Sequence, residues 1–181
     1  MLPLGVKLVQ LRVKDAPEDA VRKEVRAARD LCEKHGAQLI VNDFWEIAID
    51  EDCDYVHLGQ EDLDDADLAA LRKHGIRVGI STHDRAELDR ALSLEADYIA
   101  LGPVYPTILK KMKWTEQGLD RVREWKGLIG ERPLIGIGGM TPERAALTFA
   151  AGADVVSVVT DITLNADPKL RTKEWIENTR A

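Results

Sequence analysis

Cationic and acidic side chains follow the early apolar segments of this chain, and their chemistry suits a metal-bound diphosphate. Arg12 and Lys14 come at the end of the first segment and are cations that can hold phosphate oxygens. Asp43 and Asp62 follow the next two segments and are hard oxygen donors. Mg²⁺ is usually held by one or two carboxylates together with substrate phosphates. A metal diphosphate would therefore need both sets of charge side by side.

Two later turns have the composition of phosphate-binding loops. Gly138-Gly139 follows an apolar segment and precedes Thr141-Pro142, which predicts a helix start. Glycines at such a position let backbone N–H groups approach an anion closely. Thr107 and Lys110 follow another apolar segment that ends in Gly102-Pro103. In parallel α/β proteins, loops after the carboxyl ends of buried strands carry the chemistry.

Polar or glycine positions stand at nearly every predicted strand end, which is the pattern expected of one shared site on a rim. These candidates are Gln10, Arg12, Lys14, Asn42, Asp43, Asp62, Ser81, Thr107, Lys110, Gly138, Gly139 and Thr160.

Each feature also has a purely structural interpretation. Arg12 and Lys14 could pair with Asp43 or Glu61 to close the end of a barrel. Asp43 and Asp62 could be helix caps, and paired glycines also serve plain packing. The joint occurrence of cations, carboxylates and glycine turns favours a functional site over independent structural coincidences.

Strands and helices that alternate along the chain must position these residues, and short connections predict parallel strands with right-handed crossovers. Asp15 is expected to cap the first helix, Asp64 or Asp65 to start the next, and Thr82 or Asp84 to cap a third. The predicted strands are 7–14, 37–41, 55–59, 77–81, 98–104, 133–139 and 154–159, with further helices over 118–129, after Thr141-Pro142 and over 168–179.

The count of about seven units leaves two α/β architectures open. A closed (β/α)₈ barrel needs eight strands, so the chain would be a TIM (β/α)₈-type barrel that lacks its first β/α unit. The other possibility is an open, doubly wound sheet. The polar strand ends favour the barrel.

Composition limits the classes of partner. The 181 residues, 45% of them hydrophobic, predict one domain over 1–181. The net charge of -7 at pH 7 argues against nucleic acid and anionic membranes as partners. We find no apolar run of membrane-spanning length and no leader pattern, and we therefore expect a cytoplasmic protein. Cys32 and Cys53 lack metal-site spacing and are expected to be reduced structural thiols.

An ordered set of motifs along practically the whole chain resembles the thiamine phosphate synthase family, whose wider group includes thiazole tautomerases. The motifs are Gln10-Leu-Arg-Val-Lys-Asp15, Asn42-Asp43, His57-Leu-Gly-Gln-Glu-Asp-Leu63, Gly79-Ile-Ser-Thr-His83, Gly102-Pro-Val-Tyr-Pro-Thr107, Lys110 and Ile137-Gly-Gly139. The resemblance implies a (β/α)₈ barrel transferase of thiamine biosynthesis. It would join hydroxymethylpyrimidine diphosphate to thiazole phosphate with Mg²⁺, releasing diphosphate. Pro103 stands where the tautomerases have a histidine, which favours the synthase.

The resemblance also implies a role for each candidate residue. Asp43 and Asp62 would bind Mg²⁺, and Ser81, Thr107 and Lys110 would contact the diphosphate and the reacting centre. The pyrimidine diphosphate would be held by Gln10, Arg12, Lys14 and Asn42, and the thiazole phosphate by Gly139, Val159 and Thr160. Family members are often homodimers, so the resemblance makes a homodimer one possible assembly, although nothing in the sequence independently fixes it.

Two positions depart from the family pattern. Leu109 replaces a threonine beside Lys110, and Asp161 stands where a small residue is usual. A carboxylate beside a phosphate is costly, and we expect Asp161 to turn away or to be paired. Two alternatives to the synthase therefore stay open: a non-catalytic phosphate-binding barrel fragment acting through a partner, or a relative acting on thiazole phosphate alone.

Overall fold

The computed structural model describes residues 1–108 and 114–179. Its strands are parallel and follow one another in the sheet in chain order. This sequential order is that of a (β/α) barrel, whereas the strand order of a doubly wound sheet reverses. The strands are β1 (Leu8–Leu11), β2 (Gln38–Asn42), β3 (Tyr55–Leu58), β4 (Arg77–Thr82), β5 (Tyr98–Leu101), β6 (Leu134–Ile137) and β7 (Val155–Ser157).

Helices connect most of the strands, as the sequence predicts. They are α1 (Glu18–His35), α2 (Trp45–Asp50), α3 (Leu68–Lys73), α4 (Arg85–Ser93), α5 (Gly118–Ile129), α6 (Pro142–Ala150), α7 (Thr160–Thr163) and α8 (Pro168–Thr179). The bounds of α5 and α8 are those predicted.

The chain divides into two compact units, Met1–Ile80 and Ser81–Ala181. The prediction of a single domain over 1–181 stays a prediction. In the first unit, β2 pairs with β3 so that Asn42 lies opposite His57. Asn42 is itself one of the candidate residues, and Asp43 follows it directly. The core of this unit includes the fully or almost fully buried Val21, Val41 and Leu58.

In the second unit, a buried hydrogen-bond relay connects a strand end to the helical layer. The Trp125 Nε1–H group donates to Thr82 Oγ1 over 2.8 Å, and the Thr82 hydroxyl donates to the Ala100 carbonyl over 3.0 Å. Trp125 and Thr82 are both fully buried. The relay satisfies two polar groups that burial would otherwise leave costly.

Some predicted boundaries are wrong, and local backbone geometry explains the differences. Asp15 does not cap α1, because it has a left-handed φ of 55° and Pro17 is still extended before the helix begins. The helix α3 starts later than predicted, because the carboxylate of Asp67 accepts the Ala70 N–H over 2.9 Å. The strand predicted over 7–14 ends at Leu11. The six-residue helix α2, which has no side-chain cap, was not predicted from the sequence.

Two predicted helix caps are confirmed. Asp84 and Thr141 cap α4 and α6 through their side chains. Cys32 and Cys53 are free and buried, and burial raises the pKa of the Cys53 thiol to about 11. Among the described residues, no helix is both long and apolar enough to cross a lipid bilayer.

Candidate functional site

Two predicted metal ligands are held around the carboxyl end of β3. Asp43 follows β2, and its backbone N–H donates to the His57 carbonyl over 3.0 Å. Asp62 lies in the turn after β3, where its Oδ2 accepts the Gly59 N–H over 3.0 Å. Neither carboxylate caps a helix, because no side-chain cap is made at α2 or at the turn Asp62–Asp64. The helix-cap interpretation of these two residues is therefore wrong.

Gly59 is required for the position of Asp62. A Cβ atom at residue 59 would lie 2.7 Å from Asp62 Oδ2, so a larger residue would push the carboxylate away from its N–H donor. The short turn between β3 and α3 thus fixes the Asp62 carboxylate.

The imidazole of His57 lies beside this acidic edge but is itself buried, with 7% of its surface exposed. Burial lowers its pKa to about 4, and the nearby negative charge of Asp62 opposes this shift only in part. His57 is therefore neutral at pH 7. His57 lies within β3, and its burial is that of a structural histidine.

The residues at this edge fit Mg²⁺ bound together with a phosphorylated substrate. In the described part of the chain, no three or more His, Cys, Asp or Glu side chains form a closed metal cluster. Mg²⁺ does not need one, because it retains waters and takes substrate phosphate oxygens besides one or two carboxylates. Asp43 and Asp62 supply the hard oxygen donors for such an open site.

The predicted cations lie at and just past the end of β1. Gln10, Arg12 and Lys14 are exposed, and the Lys14 ammonium pairs with Asp43 Oδ2. The structural interpretation, in which one of these cations pairs with Asp43, is therefore correct for Lys14. The pair also places a positive and a negative charge side by side, as a metal diphosphate would require.

In the second unit, four predicted substrate-binding residues share one open pocket. Thr107, Gly139, Val159 and Thr160 line it together with residues of β6, β7 and the turn after β6. The remaining lining residues are Ile137, Gly138, Met140 and Ser157. Its space is ≈ 260 Å³, including the part open to solvent.

A tight glycine turn forms one wall of this pocket. Gly139 has a φ of 61°, and a Cβ atom there would lie 2.3 Å from the Pro106 carbonyl oxygen. Only glycine fits this backbone, which confirms that the turn has a steric reason for its composition. Arg144 holds the turn from outside: its Nη1 donates to the Gly139 carbonyl over 2.6 Å, and its guanidinium lies 4.8 Å from the Tyr105 ring centroid.

Asp161 is paired, as its place beside this pocket requires. The Arg171 guanidinium donates from Nε and Nη2 to its two oxygens over 2.7 and 3.0 Å. The Trp175 indole N–H donates to Oδ2 over 2.7 Å. Burial acts to raise the pKa of Asp161, but these hydrogen bonds and the charge of Arg171 outweigh burial and lower it.

Some candidates are placed less fully. Ser81 is half-buried near the end of β4 and is not among the residues that line the pocket. Lys110 and Leu109 lie outside the described residues. The described ends of their loop are joined, because the backbone N–H groups of Gln117 and Gly118 donate to the Pro103 and Val104 carbonyls. A single site shared by all candidates stays a prediction.

Three residues that support the pocket were not predicted from the sequence: Arg144, Arg171 and Trp175. Arg144 stands five residues after the glycine whose carbonyl it binds. This spacing across a predicted helix start is a signal that could have found it. Arg171 and Trp175 act across a helix boundary, and no local pattern relates them to Asp161.

Parallel β/α units in sequential order, with phosphate-type turns and charged residues at strand ends, define an α/β enzyme of the TIM-barrel type. The family model described as thiamine monophosphate synthase matches residues 1–162. The chain belongs to this family. This confirms the family predicted from the ordered motifs.

Curated relatives extend the match over almost the whole chain. The thiamine-phosphate synthase of Rhizobium etli is 56% identical over 179 residues, which are 99% of this chain and 88% of the relative. The thiamine-phosphate synthase of Escherichia coli O1:K1 is 41% identical over 98% of this chain and 84% of the relative.

Solved structures agree on the fold. Thiamine phosphate pyrophosphorylase from Pyrococcus furiosus superposes with a TM-score of 0.86 at 26% identity, covering 98% of this chain and 84% of that one. The 3-hexulose-6-phosphate synthase of Salmonella typhimurium has a TM-score of 0.70 at 16% identity, covering 96% and 86%. The second similarity shows the fold alone. The predicted α/β, TIM-barrel-type fold is confirmed.

Proposed function

We propose that this chain is a transferase that condenses hydroxymethylpyrimidine diphosphate with thiazole phosphate to give thiamine phosphate and diphosphate. The observation that carries this is the 56% identity to a thiamine-phosphate synthase over 99% of the chain. The two curated relatives named above bear the name thiamine-phosphate synthase, and neither favours a non-catalytic fragment or an enzyme acting on thiazole phosphate alone. The substrates are small molecules.

The first unit supplies residues for the pyrimidine diphosphate. Gln10, Arg12, Lys14 and Asn42 donate hydrogen bonds or positive charge to its oxygens. Support comes from the exposure of Gln10, Arg12 and Lys14 at the end of β1 and from the ion pair between Lys14 and Asp43. A diphosphate would compete for the Lys14 ammonium, which can pivot from the carboxylate to a phosphate oxygen without leaving the edge.

Mg²⁺ is the proposed cofactor, and Asp43 and Asp62 would hold it. When bound, the cation neutralises charge that develops on the departing diphosphate. Both residues are held independently of the metal: the Asp43 backbone N–H donates to the His57 carbonyl and the Asp43 carboxylate pairs with Lys14, while the Asp62 carboxylate accepts the Gly59 N–H. Such pre-positioning keeps the reorganisation required on binding small.

The reaction breaks the bond between the pyrimidine methylene carbon and the diphosphate oxygen and forms a bond from that carbon to the thiazole nitrogen. Loss of diphosphate leaves a resonance-stabilised pyrimidine-methyl cation, so stabilising the leaving group matters more than a strong base. We assign Ser81, Thr107 and Lys110 to contacts with the diphosphate and the reacting centre. The nitrogen lone pair needs only correct positioning.

The second unit supplies the site for thiazole phosphate. Gly139 and the backbone around Val159 and Thr160 line one pocket with Thr107. The left-handed turn at Gly139 presents backbone N–H groups without a side chain in the way. This suits a monophosphate that stays bound throughout the reaction.

A homodimer and a cytoplasmic location remain proposals from the resemblance and the sequence. Light scattering at micromolar protein concentration and fractionation of cells that express the tagged chain would test them.

Formation of thiamine phosphate from the two substrates is the direct test of function. We expect turnover by the wild type only when Mg²⁺ is present. Asp62→Asn should lower kcat/KM by roughly two orders of magnitude, because a neutral amide is a poor ligand and no longer offsets the metal charge. Asp65→Asn is the matched control, since Asp65 is exposed in the same segment.

The alternatives give different results in the same assay. A non-catalytic fragment would make no thiamine phosphate, and a thiazole-phosphate enzyme would convert that substrate without the pyrimidine. Turnover that is independent of Mg²⁺ and of Asp62 would contradict the proposed metal site.

A further inference from the structure

Residues of helix α8 bind the carboxylate of Asp161, which directly follows the pocket-lining Thr160. Asp161 comes after Thr160, and both of its oxygens accept hydrogen bonds from α8 residues. Arg171 supplies two of these bonds and Trp175 the third. The Arg171 and Asp161 side chains are 21% and 19% exposed, so solvent screens their pairing only in part.

Further carboxylates surround the same guanidinium. Arg171 Nη1 donates to Glu174 Oε2 over 2.8 Å. The pKa of Glu143 is lowered first by a hydrogen bond from Thr141 and also by the charge of Arg171, whereas Asp161 acts to raise it. Glu143 therefore lies within electrostatic range of both. Arg171 therefore binds Asp161 and Glu174, and its removal would leave Asp161, which directly follows the pocket-lining Thr160, without its cation.

An anionic ligand is sensitive to such charge. At the effective dielectric constants that describe partly buried pairs, an uncompensated carboxylate near a bound phosphate weakens binding on the order of tenfold. Fixed pairing removes most of that penalty, because the phosphate then faces a nearly neutral pair.

We propose that Arg171 is a positioning residue for the phosphorylated thiazole, which acts by neutralising Asp161 and turning its carboxylate toward α8 and Trp175. The proposal rests on the proposed function, because it assigns a determinant of the affinity of the same pocket. Arg171 and Trp175 lie after residue 162, where the match to the family model ends.

Steady-state kinetics with each substrate varied in turn test this role. Arg171→Met should raise the KM for thiazole phosphate roughly tenfold and change the KM for pyrimidine diphosphate less than about twofold. Asp161→Asn placed in the same chain as Arg171→Met should return the first KM to within about threefold of wild type, since residue 161 then carries no unpaired charge next to the pocket-lining Thr160.

Two further variants separate charge from packing. Arg171→Lys keeps the cation but loses the two-pronged hydrogen bonding, and it should stay within about threefold of wild type. Asp161→Asn alone should leave the KM for thiazole phosphate unchanged or lower it. Arg123→Met is the matched control, because Arg123 pairs with Asp120 on the exposed face of α5 over 2.7 Å.

Three results would overturn the proposal: a double variant as weak as Arg171→Met, a folded Arg171→Lys with a tenfold higher KM, or an Asp161→Asn variant that binds thiazole phosphate worse. The last two apply even when Arg171→Met does not fold. A wild type without synthase activity would overturn the proposed function and this inference together. If the wild type is active and none of the four variants changes the KM for thiazole phosphate, the inference alone is overturned.

Discussion

The two units offer charge to an anion in different ways. The Met1–Ile80 unit offers side chains: exposed cations after β1 and the carboxylates Asp43 and Asp62 around the end of β3. The Ser81–Ala181 unit offers the backbone N–H groups of a glycine turn, and the arginines near this turn already bind protein groups. Arg144 binds the Gly139 carbonyl, and Arg171 binds Asp161.

This difference matches the different fates of the two phosphates in the proposed reaction. A diphosphate that departs with a metal gains charge as its bond breaks, and mobile ionic side chains can follow that change. A monophosphate that only anchors its ring needs directional N–H groups and no change of charge. The following predictions test that contrast, from the largest expected effect to the smallest.

The ionic edge is tested by Asp43→Asn, which should lower kcat/KM by roughly 10²–10³-fold. The change removes a proposed metal ligand and also leaves Lys14 without its carboxylate partner. When activity is titrated with Mg²⁺, the metal should stimulate this variant less than the wild type at every concentration. Asp52→Asn is the matched control, because Asp52 is an exposed aspartate with a similar left-handed φ of 50°. Equal activity of the two variants would refute the contrast.

The backbone turn is tested by Gly139→Ala, which should raise the KM for thiazole phosphate roughly tenfold to a hundredfold. A methyl group at this φ would meet the Pro106 carbonyl oxygen, and the turn would have to open. Gly127→Ala on α5 meets nothing within 4 Å and should leave all kinetic constants unchanged. Thermal unfolding of both variants separates misplacement of the turn from loss of fold. A Gly139→Ala variant with normal KM would show that the turn does not bind the phosphate.

The first unit should lose stability in acid because of His57. Its folded pKa of about 4 lies below the ordinary 6.5, so the unfolded chain binds the proton first. Stability is fully present above pH 6.5 and is lost as the pH falls toward 4, by roughly 3 kcal/mol in total.

Urea unfolding in metal-free buffer at several pH values measures this slope. His57→Gln should flatten it, and the exposed-histidine variant His74→Gln should not. An unchanged slope in His57→Gln would assign the acid sensitivity to other groups.

The second unit should show a smaller loss that does not depend on pH. Thr82→Val keeps the shape of the side chain but leaves the Trp125 N–H without its acceptor and the Ala100 carbonyl without its donor. We expect a loss of about 1–3 kcal/mol in the free energy of unfolding, equal at pH 5 and pH 8. Since only Trp125 and Trp175 among the four tryptophans are almost fully buried, their fluorescence can follow this unit. A loss that grows in acid would contradict the assignment to neutral hydrogen bonds.

The order of elements was predictable because each signal is local. Thr141-Pro142 and Asp84 mark helix starts, and Gly36 ends α1 with a φ of 59°. Errors occurred where one local signal competed with another. Asp15 has the chemistry of a cap, but Pro17 holds the chain extended until Glu18.

The candidate site was predictable only as residue types at strand ends. Four of the predicted residues do line one pocket in the second unit. The pairs that tune the site are determined by tertiary packing. The pairing of Lys14 with Asp43 was one of several that the sequence allowed, and Arg171 reaches Asp161 only because α7 and α8 pack together. Such distances and angles are not encoded in any short pattern.

The pairing of Asp161 with α8 also constrains how this chain can be recombined with its relatives. Replacing α8 by a helix without counterparts of Arg171 and Trp175 would leave the resident Asp161 without its guanidinium and indole partners. A designer who exchanges that segment should therefore transfer residues 161, 171 and 175 as one block.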